Sequence, residues 1–191
     1  MKACLPRKIS LCLVLVVLLL VCPQNAFAQE ARLADIILNN TRDDLLLYLK
    51  VEGAFTPEIE EAILSGVPTS FSFFITLLQV RNMWFDRELA DLEVTHTVKY
   101  NNLKKEFVIQ RSWENGPPMV TQSFAEAKKL LSEVASLKII PLAKLEKGGL
   151  YQIRAKAELS RITLPFHLHH ILFFISLWDF ETDWYTIDFT Y

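Results

Sequence analysis

Along residues 88–100 the chain alternates without a break. Ala90, Leu92, Val94, His96, Val98 and Tyr100 face one way; Leu89, Asp91, Glu93, Thr95, Thr97 and Lys99 face the other. A period of two sorts apolar from polar residues on an extended strand, which a helix of 3.6 residues per turn cannot do. Residues 150–159 repeat the pattern, with Tyr151, Ile153, Ala155, Ala157 and Leu159 set against Gln152, Arg154, Lys156 and Glu158. Such strands need one wet face and one dry face, so the chain must fold largely as antiparallel sheet around a core.

The other segments fit that frame. Residues 34–39 and 45–51 are short apolar runs joined by the polar turn Asn39-Asn40-Thr41-Arg42-Asp43, and they read as a hairpin. Asn39-Asn40-Thr41 also matches a glycosylation sequon and is read as turn chemistry. A helix follows, with Thr56 as cap, Pro57 at its first position, Glu58, Glu60 and Glu61 at its positive end and Gly66 as its stop. Ile59, Ile63 and Ala62 supply its buried stripe. After Pro68, Phe71, Phe73, Ile75 and Leu77 share one strand face, and the opposite face (Ser70, Ser72, Phe74, Thr76, Leu78) is itself partly apolar. That predicts a central strand covered on both sides.

Asn101-Asn102 turns the chain, and residues 105–113 return with Phe107, Ile109 and Trp113 inward. Asn115-Gly116-Pro117-Pro118 breaks it again. Ser123 and Glu126 form a capping box for a helix to about Val134, burying Phe124, Ala127, Leu130, Leu131 and Val134. Residues 137–145 and 150–159 read as a second hairpin over Lys147-Gly148-Gly149. Residues 164–178 are almost wholly apolar but too short for a comfortable membrane span, so they predict a buried, partly helical segment. Residues 184–191 close the chain as a strand. The expected fold is mainly β within the α+β class: an antiparallel β-sandwich-like domain of about eight strands with two or three helices. A single curved sheet gripping a helix is the runner-up.

The first 28 residues carry a different message. Lys2, Arg7 and Lys8 precede the apolar run 10–21, and Ala26-Phe27-Ala28 places small residues for cleavage after Ala28. This is the three-part pattern of a secretory signal peptide, predicting export to the periplasm and a single domain over residues 29–191. Cys4, Cys12 and Cys22 all lie within the leader, so the mature domain has no disulfide and must stand on its core. Leu19-Leu20-Val21-Cys22 resembles a lipobox except for the bulky Val21; lipidation of Cys22 would add peripheral membrane contact. Twenty Lys and Arg, less three in the leader, stand against twenty-two Asp and Glu, a mature balance of about −5. Mild acidity without a basic stripe argues against nucleic acid and against anionic membrane surfaces.

No catalytic signature appears. A G-x-S-x-G motif is missing, and the expected mature chain has no cysteine nucleophile. Acid pairs such as Asp179 with Asp183, or Asp86 with Glu88, lie at turns where carboxylates are solvated. Five glycines with no phosphate-cradling loop argue against a nucleotide cofactor. His167, His169 and His170 have spacings that let two imidazoles share a face, yet no further ligand set accompanies them, and they read as structural. His96 reads as a hydrogen-bonded core histidine. The closing strand, with Tyr185, Ile187, Phe189 and Tyr191, resembles that of an outer-membrane barrel, but two capped helices and charged strand faces contradict a barrel. Aromatic residues are the more suggestive feature. Trp84, Phe85 and Asp86, flanked by Arg81, Asn82 and Arg87, form the candidate interaction surface at an edge or turn.

An ordered set of pieces over residues 31–191 carries a family resemblance. Ile63-Leu64-Ser65-Gly66-Val67-Pro68 leads into the Phe-rich strand, Trp84-Phe85-Asp86 follows it, and Val98-Lys99-Tyr100-Asn101 precedes the return strand. Ser123-Phe124, Leu164-Pro165-Phe166, Ser176-Leu177-Trp178 and Thr182-Asp183-Trp184 complete the order. In this the chain resembles the bacterial family called domain of unknown function 4390. The resemblance implies an exported or membrane-associated bacterial protein with no assigned activity and no catalytic residues to carry over. It also implies a link to envelope sensing, because members are encoded near a nitrogen-regulation-type sensor histidine kinase. The expected function is therefore a non-catalytic periplasmic protein-interaction module, without cofactor or metal, whose partner is an envelope protein such as that kinase. The competing expectation is a carrier or sensor of a small apolar ligand or lipid held between the sheet and residues 164–178.

Overall fold

The structure, a computed structural model of the chain, describes residues 31–81, 83–161 and 181–191. The expected leader, the apolar run 164–178 with its predicted helical piece, and His167, His169 and His170 lie outside the described residues. Nine strands and two α-helices are described, in two antiparallel sheets. Strands β1 (Arg32–Asn40), β2 (Asp44–Glu52) and β7 (Glu133–Pro141) make the smaller sheet, in the order β1-β2-β7. The larger contains β3 (Thr69–Gln79), β4 (Arg87–Asn101), β5 (Glu106–Arg111), β6 (Met119–Thr121), β8 (Leu150–Arg161) and β9 (Tyr185–Thr190). Its order is β6-β5-β4-β3-β8-β9. Helix α1 (Pro57–Leu64) links the sheets after β2, and α2 (Phe124–Ser132) lies between β6 and β7.

Both sheets turn their apolar faces into one buried cluster. Leu47 and Leu49 of β2 join Phe71, Phe73 and Ile75 of β3, Tyr151 and Ile153 of β8, and Ile63 and Leu131 of the helices. Two sheets sharing a core make this the expected β-sandwich-like α+β fold, not one curved sheet. Strand β3 is central, paired along its length with β4 on one side and β8 on the other. On its second face the Ser70 and Ser72 hydroxyls are buried and hydrogen-bond Thr97 and Thr95 at 2.8 and 3.1 Å. Cross-strand hydroxyl pairs let polar residues occupy such a position.

Helix α1 is punctuated as its sequence requires. The Thr56 hydroxyl accepts the Ile59 N–H, and Pro57 stands at the start. At the far end Gly66 adopts φ of +88°, its N–H donates to Ile63, and the Val67 N–H donates to Ala62. This paired closure needs a left-handed residue, which glycine adopts without a Cβ penalty.

Two expectations are corrected. Helix α2 ends at Ser132, before Val134, because Glu133 is already extended and pairs with Lys50 across the ladder from β2. Residues 137–145 and 150–159 do not form a hairpin. Strand β7 pairs with β2, the chain crosses between sheets through a short 3-10 turn (Leu142–Lys144), and β8 pairs with β3 and β9. The crossing is held by Tyr151, whose buried hydroxyl accepts the Glu146 N–H at 2.6 Å. The short edge strand β6, paired with β5, had no counterpart in the sequence reading.

Candidate functional site

The β3–β4 hairpin stays paired to Gln79 and Arg87, with a register shift after Leu77, and then opens into the loop 80–86. Asp86 clasps this loop: its Oδ1 accepts the Arg81 N–H at 3.2 Å. Beyond the clasp, Met83, Trp84 and Phe85 are 90%, 80% and 96% exposed. Single exposed apolar side chains are ordinary, but three large ones in a row at a hairpin end make a contiguous apolar patch, and such patches mark contact sites. Trp84, Phe85 and Asp86 are thus brought together at one tip, with two rings displayed and the carboxylate tying the backbone. Met83 belongs to the same patch and was not singled out from the sequence, although its position beside Trp84 in a polar setting carried the signal.

His96 is fully buried. Its Nδ1 lies 3.1 Å from the Leu131 carbonyl and its Nε2 accepts the Trp113 indole N–H at 3.1 Å. The nearby Arg111, also buried, donates to Glu114 at 2.8 Å and to the Leu130 carbonyl at 3.1 Å. Two side chains therefore take up the final carbonyls of α2, as helix C-termini require. Burial pushes the His96 pKa down to about 4, and the Arg111 charge adds to the effect while the Leu131 carbonyl opposes it. A neutral ring locked on both nitrogens is a structural joint between β4, β5 and α2. The sequence reading of a core histidine holds; its missed neighbour Arg111 shares inward parity with Phe107 and Ile109, which was the available signal.

A groove of about 570 Å3 runs between the start of β1, the end of β2 and residues 181–185. Trp184 forms part of its wall, with the Arg154 guanidinium 5.1 Å and the Lys156 ammonium 5.3 Å from its ring centre. Lys156 also pairs with Glu158 and Glu181; the Glu158 carboxylate holds its pKa above the ordinary lysine range. On the other wall Arg32 and then Lys50 hold the Glu52 pKa below the ordinary carboxylate range. The charges thus form two clusters, Lys156 between two carboxylates and Glu52 between two cations. Among the described residues no group of three His, Cys, Asp or Glu is arranged to hold a metal ion. Nor is any described helix long and apolar enough to cross a membrane.

The family model described as "Domain of unknown function (DUF4390)" matches residues 28–188. The chain belongs to this family. No curated protein and no solved structure gives a match. In this DUF4390 member the aromatic tip, the His96 joint and the groove all fall within the matched span, though the last residues of β9 run beyond it.

Proposed function

We propose that this DUF4390 member is a non-catalytic, exported interaction module of the periplasm that binds an envelope protein through its β3–β4 tip. The observation that carries the reading is the run Met83-Trp84-Phe85, displayed outside a loop that Asp86 clasps at the Arg81 N–H. Trp in particular concentrates binding energy at protein interfaces, where truncating one anchor costs roughly 2 kcal/mol or more. The family match starts at residue 28, where the leader is expected to be cut, which supports export. A sensor histidine kinase is the partner class that the family resemblance favours. The carrier reading needs an apolar wall from residues 164–178, outside the described residues, and no described feature favours it.

The test is a photo-cross-linking residue in place of Phe85, activated in native envelopes, with exposed Gln110 as the control position. The reading expects a discrete protein adduct from position 85 alone, and at least a tenfold loss of yield when Trp84→Ala is added. Equal adduct patterns from both positions, or an adduct indifferent to Trp84, would sink it.

A further inference from the structure

An open sheet ends in two edge strands, whose outer N–H and C=O groups invite another strand unless something spoils the pairing. Here the edges are β1 and β7 in the smaller sheet and β6 and β9 in the larger. Three of them are spoiled. Strand β1 shifts register after Ala34 and holds Asp35 at a left-handed φ of +50°. Strand β7 shifts twice against β2 and holds Ser136 at +59°. Strand β6 is three residues long and follows Pro117-Pro118. Strand β9 has none of these devices. Its six residues pair one to one with β8 without a shift, and they include no Pro, Lys or Arg and no left-handed residue.

The hydrogen bonds beside β9 show which of its backbone groups face outward. The Tyr191 N–H donates to Gly149 at 3.2 Å and its carbonyl accepts from Gly148 at 2.6 Å, so Tyr191 turns towards β8. Across the ladder Leu150 turns its carbonyl the other way, accepting the Val80 N–H at 2.9 Å. Backbone direction alternates along an antiparallel strand. Tyr185, Ile187 and Phe189 therefore direct their N–H and C=O to β8, and Thr186, Asp188 and Thr190 direct theirs outward. Among the described residues no strand pairs with that edge. Side chains alternate as well. Ile187 and Phe189 pack on the core, Phe189 with its ring 5.6 Å from that of Tyr151, and Tyr185 shares their face but is 47% exposed. Thr186 and Asp188 lie on the wet face, where one Asp188 oxygen accepts the Gln152 amide at 2.8 Å.

We propose that β9 pairs antiparallel with β9 of a second copy of this chain, about a two-fold axis at Ile187. By chemical type the strand reads alike in both directions: Tyr185-Thr186-Ile187-Asp188-Phe189 is aromatic, hydrogen-bonding, aliphatic, hydrogen-bonding, aromatic. A two-fold contact sets residue i on j and j on i, so such a strand is its own complement. About Ile187, the outward backbone groups of Thr186 meet those of the second copy's Asp188, and the Thr186 hydroxyl meets the carboxylate. The exposed Tyr185 ring comes beside the second copy's Phe189, an aromatic cross-strand pair made twice. Other registers lose this match. Centring on Asp188 opposes two carboxylates, centring on Thr186 sets Phe189 against Asp183, and a one-residue slip turns the core face of one copy to the wet face of the other. A foreign strand would find the same backbone groups but not this two-fold match, which favours a second copy. The two larger sheets then run together through the β9 pair, with an aromatic tip at each opposite end. The proposal goes beyond the partner reading and does not depend on it.

The test is disulfide trapping of the purified full-chain product, with Cys4, Cys12 and Cys22 changed to Ala so that an introduced thiol stands alone. Ile187→Cys places two thiols at the axis, where opposed Cα atoms of a non-hydrogen-bonded pair lie about 4.5 Å apart, within disulfide reach. Ile37→Cys, 57% exposed on the spoiled edge β1, is the control. Under mild oxidation the Ile187→Cys dimer should form roughly tenfold faster or more than the control. Thr186→Cys mixed with Asp188→Cys should give a mixed disulfide roughly tenfold faster than either alone, which reads the register. Adding Asp188→Pro removes an outward N–H from each copy at an edge position that tolerates Pro. It should slow Ile187→Cys trapping roughly tenfold while leaving the melting midpoint unchanged. Equal rates for Ile187→Cys and Ile37→Cys, no preference for the mixed pair, or trapping indifferent to Asp188→Pro overturns the proposal. So does a purified protein that does not trap itself, while its Ile187→Cys form traps a different protein in native envelopes.

Discussion

His96 illustrates how much a single ring can decide. The Trp113 indole can only donate, so the Nε2 it meets must be bare and the proton must sit on Nδ1, facing the Leu131 carbonyl. Protonation would set N–H against N–H at 3.1 Å and place a second cation near Arg111. The unfolded chain takes up this proton near the ordinary value of 6.5, whereas the folded state resists until about 4. The contribution of neutral His96 is therefore complete above the unfolded value and is lost progressively as pH falls towards 4. The full shift corresponds to roughly 3 kcal/mol. Urea midpoints measured from about pH 7 down to about pH 4.5 should fall steadily in the parent protein and much less in His96→Gln. A parallel slope in the variant would place the acid sensitivity elsewhere.

At the level of elements, α2 begins with a relay that the capping-box pattern only partly describes. The Ser123 hydroxyl accepts the Glu126 N–H at 3.3 Å, as expected. Glu126, however, reaches the Thr121 hydroxyl, and it is Thr121 Oγ1 that accepts the Ser123 N–H at 3.1 Å. Ser123→Ala removes one acceptor and leaves the relay, so it should cost about 1 kcal/mol in chemical denaturation. A loss near zero would mean that water replaces the hydroxyl. What could be read from sequence follows the same division between local and distant. Caps, Gly66 and strand parity are written in neighbouring residues, and so were legible. The pairing of β7 with β2 was not, because Lys147-Gly148-Gly149 looks like a hairpin turn whether the strands beside it pair or part. The exposure of Trp84 and Phe85 was legible from their polar flanks. Arg111 was overlooked because the carbonyl it meets, that of Leu130, comes from α2, distant in sequence.

For the molecule as a whole, the decisive fact is that two sheets of unequal size close on one core. Leu47 lies in the three-stranded sheet and Ile75 in the six-stranded sheet, both fully buried and in the same cluster. Neither sheet has a second apolar layer of its own among the described residues, so each depends on the other and on α1 and α2 for cover. A shared core makes unfolding cooperative. Leu47→Ala and Ile75→Ala should each lower stability by about 3 kcal/mol, the cost of a buried cavity. More tellingly, each should shift one common transition, with far-ultraviolet dichroism and tryptophan fluorescence moving together. If Leu47→Ala instead split the curve, leaving the six-stranded sheet to melt later at its parent midpoint, the two sheets would be separate folding units. The aromatic tip would then be carried by the larger unit alone, since its hairpin belongs to it. With a common transition, the tip offered to a partner stands or falls with the same core.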